Sequence, residues 1–105
     1  MTYQELVVKL IEIQKHLMPD LEKLEREDRL SHDLKVAKAE IIEWEHTVDG
    51  KGGLEEAPEI WPVEKFARAL REHYDDFNDF MRRNVAEYET LAGQLPAAFD
   101  NPLGQ

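Results

Sequence analysis

The sequence predicts an all-α protein, an antiparallel bundle of three main helices, and three observations carry that expectation. Apolar residues recur at helical spacing in three separate segments. No segment sustains the apolar–polar alternation of a half-buried strand. Hydrophobic residues fill 42% of 105 positions, enough for one modest core, so a single folded domain over 1–105 is expected rather than a disordered chain.

The first helix is expected over about residues 3–27. Thr2 and Glu5 stand at capping-box spacing, where each side chain satisfies a free backbone amide of the first turn. The apolar stripe is Tyr3, Leu6, Val7, Leu10, Ile13 and Leu17. Pro19 lacks an amide donor and disfavours helix in the residue before it. Leu21 and Leu24 nevertheless keep phase with Leu10 and Leu17, so the helix is expected to kink at Pro19 rather than stop.

Residues 25–33 then reset the phase. At about 100° per residue, the stripe of Leu34, Ala37, Ile41, Trp44 and Val48 points nearly opposite to Leu21 and Leu24. A second helix is therefore expected over 32–48, with Ser31 as its N-cap. Asp49-Gly50-Lys51-Gly52-Gly53 should end it and open a loop over 49–61 that carries Pro58. A loop of that length is either a slack connection or a contact segment.

The third helix is expected over 62–91, with Pro62 suited to its first turn and Gly93 closing it. Val63, Leu70, Phe77 and Leu91 recur at multiples of seven, beside a second series of Ala67, Tyr74, Met81 and Tyr88. Phe66 and Phe80 widen the stripe, and the tail over 92–105 adds Leu95, Phe99 and Leu103. Such a helix would be about 45 Å long, against about 30 Å for the diameter of a small domain. Phe66, Leu70, Tyr74, Phe77, Met81 and Tyr88 are therefore expected to form an interaction surface. A protein partner or a second copy of the chain, in a homodimer or larger assembly, would cover it.

The net charge of −10 is even: 12 acids against 7 bases up to Asp49, and 11 against 6 beyond. A surface of that sign repels phosphate and anionic lipid, so neither nucleic acid nor membrane is an expected partner. There is no cysteine, and no basic segment precedes an apolar run at the start, so a cytoplasmic setting is expected. The four histidines, His16, His32, His46 and His73, include no pair at metal-binding helical spacing. Ser31, the single serine, lacks the context of a nucleophile. Trp44 is expected in the core and Trp61 at the corner where the loop enters the third helix. Arg82 and Arg83 are expected to pair with Asp79 and Glu87.

Glu40-x-x-Glu43 and Glu72-x-x-Asp75 place carboxylates three apart, on one helix face, as helical bundles present ligands to divalent ions. These pairs resemble the carboxylate motifs of MazG-like nucleotide pyrophosphohydrolases. The resemblance implies an all-helical enzyme in which Glu40, Glu43, Glu72 and Asp75 hold Mg²⁺ against a nucleoside triphosphate. Glu43-x-x-His46 separately resembles half of a ferritin-like di-iron site, which would need a second Glu-x-x-His that the chain does not have. Helical phase aims Glu72, Asp75 and Asp79 about 140° or more away from Leu70, toward solvent. The first functional expectation is accordingly an accessory protein (adaptor, inhibitor or subunit) that acts by protein–protein contact, with no catalytic residue and no cofactor. The pyrophosphohydrolase is the alternative.

Overall fold

The computed structural model describes residues 2–50 and 59–100, and these form four α-helices with no strand among them. They are α1 (Tyr3–Arg26), α2 (His32–Gly50), α3 (Trp61–Glu72) and α4 (Asp79–Asp100), with one 3-10 turn over Tyr74–Asp76. No helix among the described residues is long and apolar enough to cross a membrane.

The start of α1 is the capping box that Thr2 and Glu5 spell. The Thr2 hydroxyl accepts from the Glu5 amide at 3.2 Å, and the Glu5 carboxylate accepts from the Thr2 amide at 3.2 Å. α1 runs through Pro19 without a break, and Tyr3, Leu6, Val7, Leu10, Ile13, Leu17 and Leu21 are buried along one side. Its end is a Schellman closure, in which Asp28 takes the left-handed position at φ 58°. The Arg29 amide reaches the Leu24 carbonyl at 2.8 Å, and the Asp28 amide reaches Glu25 at 3.0 Å. Leu30 plugs the connection into the core, and the Ser31 hydroxyl caps α2 on the Leu34 amide at 3.2 Å. The expected stripe of α2 is buried throughout: Leu34, Ala37, Ile41, Trp44 and Val48. α2 continues to Gly50, and residues 51–58 of the expected loop lie outside the described residues.

The third expected helix is two helices. From His73 to Asp79 the chain reads His-Tyr-Asp-Asp-Phe-Asn-Asp, a run without one strong helix former. Phe77 is extended, at φ −93° and ψ 151°. Asn78 then caps α4, its side-chain oxygen accepting from the Met81 amide at 2.8 Å. Arg82 holds the turn from the other side, donating to the carbonyls of Tyr74 at 3.1 Å and Asp75 at 2.9 Å rather than serving as a surface ion pair. Arg71 lies over the Tyr74 ring at 4.2 Å and is bound to Glu89.

Gly93 does not close the helix either, since α4 passes through Gly93 and Pro96 to Asp100. Continuing buries Ala92 and Leu95, which rewards the extra turns. A methyl group at Gly93 would meet nothing within 4 Å. Gly93→Ala is thus expected to stabilise the chain by about 0.5–1 kcal/mol, read as a higher urea midpoint at unchanged slope.

Side-chain pairs give the directions of the helices. Glu25 meets Lys38 and Gln14 meets Glu45, so α2 runs back along α1. Glu40 meets Lys65 and Trp44 meets Glu59, so α3 runs back along α2. Arg82 meets Tyr74 and Tyr88 meets Phe66, so α4 runs back along α3 and comes to rest against α1. With the break in place, α3 is about 18 Å long and α4 about 33 Å. Both fit inside the 43 Å length of the molecule. The single helix of about 45 Å, on whose length the expectation of an outside partner rests, is not formed.

Candidate functional site

The six residues expected to meet a partner mostly meet their own chain. Phe66, Leu70, Phe77, Met81 and Tyr88 are buried, and Tyr74 is half-buried. The break at 73–78 folds α3 and α4 face to face, so Phe66 and Tyr88 pack edge-on with ring centres 5.5 Å apart. Phe80, expected to widen the stripe, is instead 47% exposed. It stands about 100° from Met81 around α4, off the covered side.

The four carboxylates of the expected metal site are not brought together. Glu40 points at α3, where one oxygen accepts from the Lys65 ammonium at 2.9 Å. The other oxygen is buried, with no hydrogen-bond partner among the described residues. Glu43 is exposed on α2, and Asp75 is exposed in the 3-10 turn beyond the end of α3. Glu72 borders an open cleft of about 310 Å³ shared with His32, Asp33, Val36, Lys65, Arg68 and Ala69. Among the described residues, no three histidine or acidic side chains gather closely enough to share an ion. A cation at Glu40 would sit beside the Lys65 ammonium without the gathered carboxylates that Mg²⁺ needs, so this donor set does not fit it.

The centre of the molecule holds a polar chain that sequence reading missed. Gln14 is fully buried, and Tyr88 donates its hydroxyl to the Gln14 carbonyl oxygen at 2.7 Å. The Gln14 amide nitrogen donates in turn to Glu45 at 2.6 Å. One amide thereby ties α1, α2 and α4, and each pairing satisfies a group that burial would otherwise strand. The signal was present: Gln14 is four residues after Leu10 and three before Leu17, on the stripe itself.

Burial, and then the negative charge of Glu45, hold the Tyr88 phenol well above the usual tyrosine range. Burial pushes Tyr3 up to about 12. An unfolded tyrosine loses its proton near pH ~10, so both groups bind protons more tightly when folded. The stability they contribute is complete below about pH 10 and is lost as pH rises through the folded values. Urea midpoints are expected to decline from about pH 10 toward 12 with a rise in phenolate absorbance. Tyr88→Phe should make the decline shallower.

At the opposite extreme of exposure is Trp61, the first residue of α3 and 50% exposed. It is nonetheless held in place, since its indole N–H donates to the Glu59 carboxylate at 2.6 Å. The Glu59 backbone carbonyl accepts from the indole of Trp44, a core residue, at 2.7 Å. A buried tryptophan thus anchors the residue that orients an exposed one. No protein-family model, curated protein or solved structure matches the chain.

Proposed function

We propose that the chain acts by protein–protein contact, as a small acidic helical accessory protein that seats a partner on Trp61. The observation that carries this reading is a large aromatic ring half in water yet fixed by Glu59 and, through it, by the core. Tryptophan concentrates binding energy at interfaces because it buries much apolar area and keeps a polar handle. A ring already oriented loses little further freedom on binding. The net charge of −10 favours a basic surface on the partner and an association rate that falls with salt. A cytoplasmic setting is supported by the lack of cysteine.

Cross-linking a tagged copy in cell extract identifies candidates, and purified components then test each pair. Trp61→Ala is expected to leave the fold intact and to weaken the pair about 30-fold or more, as loss of a central aromatic anchor does. Trp61 fluorescence should shift to the blue as the partner covers the ring. An unchanged affinity for Trp61→Ala, with unshifted emission in a formed complex, would remove this reading.

A further inference from the structure

We infer that the turn between α3 and α4 is a hinge, and that the chain opens there to form a dimer in which two copies exchange α4. Four observations converge on it, and none depends on the partner reading of Trp61.

The first is register. At about 100° per residue, Val63, Phe66, Leu70, Phe77, Met81 and Tyr88 fall within about 60° of one another on a continuous helix. Two helices joined by a permanent turn have no need to share one phase. The second is the backbone: between Pro62 and Gly93 there is neither glycine nor proline, so nothing covalent forbids an unbroken helix. The third is what holds the break, which is one short 3-10 turn, with the Asp76 amide on His73 at 3.0 Å and the Phe77 amide on Tyr74 at 3.2 Å, and the side chains around it. The Asn78 cap and the Arg82 clamp on two carbonyls are replaceable by ordinary helical hydrogen bonds.

The fourth is symmetry. Phe66 pairs with Tyr88, and Phe77 lies midway between them in the chain. If two opened helices lie antiparallel, each Phe66 meets Tyr88 of the second copy and the two-fold axis passes beside Phe77. Each α4 then packs on the α1 of the second copy, where Gln14 again receives the Tyr88 hydroxyl. The contacts of α4 with α1 and α3 return between copies, those of the hinge itself give way to helical hydrogen bonds, and only residues 73–78 change conformation. Exchange of an identical element needs no new surface, so the second copy is the one occupant already complementary.

The chain has no cysteine, so cysteines placed at Arg68 and Glu87, both exposed, are the only sites for a spin-label pair. An unbroken helix puts these positions about 28 Å apart along its axis. Labelled chain is mixed with excess unlabelled chain, so that only distances within one chain are read. Asp76→Ala with Asn78→Ala removes the cap and favours helix across the hinge. Its dimer is expected to be about tenfold tighter or more, since each dimer contains two hinges. In the dimer fraction the label distance should rise to the open value.

Asp79→Pro should shift the balance the other way. Asp79 is the first residue of α4, where proline fits the closed turn, but a proline there breaks a continuous helix. Asn78→Gly acts in the same direction without a proline. Light scattering up to about millimolar concentration should rank dimer formation from the double alanine variant, through the native chain, to Asn78→Gly and Asp79→Pro. A double alanine variant that stays monomeric throughout overturns the proposal. So does a dimer whose labels keep the closed spacing, or an Asp79→Pro chain that dimerises as tightly as the native one.

Discussion

Phe66→Ala is expected to cost the chain about 3–5 kcal/mol, a large share of the stability of a domain this size. Phe66 is fully buried, and its ring lies edge-on to Tyr88 at 5.5 Å, with the planes 89° apart. Truncation removes the transfer energy of the ring, empties a cavity between α3 and α4, and strips Tyr88 of its aromatic neighbour. A residue waiting on the surface for a partner would show the opposite pattern. Its removal would change stability by about 0.5 kcal/mol or less and reduce binding instead. Urea unfolding separates these outcomes, with a large fall in midpoint expected at unchanged slope.

Gln14→Ala is expected to be almost as damaging, at about 2–4 kcal/mol. The loss has three parts: a cavity on the buried side of α1, a Tyr88 hydroxyl left buried with no acceptor, and a Glu45 carboxylate without its amide donor. A double-mutant cycle isolates the second. Tyr88→Phe alone deprives the Gln14 oxygen of its donor, and Gln14→Leu alone strands the hydroxyl. Together the two substitutions strand neither group, so the pair should cost less than the sum of the singles by about 1 kcal/mol or more. Strict additivity would mean that the two groups do not bond.

The first two helices were legible because local and tertiary signals agree there. The Thr2–Glu5 box, the Ser31 cap and both apolar stripes act within one turn of chain, and the observed burial follows them. The break at 73–78 was not legible, although its parts were in view. A run of weak helix formers ending in Asn78 is a helix stop followed by a cap, but the stripe keeps phase straight through it. Periodicity reports which side of a segment is covered. It does not report whether the cover is another protein or the same chain folded back. Gly93 misled for a related reason: a glycine weakens a helix by about 1 kcal/mol, and the burial of Leu95 two residues on outweighs that.

Of the candidate sites, the carboxylates were legible as pairs on helices but not in their destinations. Glu40 goes to Lys65 because α3 runs back along α2, and no spacing within α2 encodes that. Gln14 was legible as a polar residue on an apolar stripe, with a partner 74 positions away that only the fold supplies. Trp61 was legible as a corner residue. That its ring is exposed yet fixed depends on Glu59 and Trp44, which are separated from each other by 15 positions.

The covered Phe66–Tyr88 pair depends on residues 61–100 folding back on themselves instead of extending as one rod. Nuclear Overhauser spectroscopy on a sample of single-chain mass tests that most directly. A Phe66–Tyr88 ring cross-peak is expected, together with an extended-backbone Cα shift at Phe77. Unbroken helical shifts from 62 to 91 without that cross-peak would contradict it, since a straight helix holds the two rings about 33 Å apart.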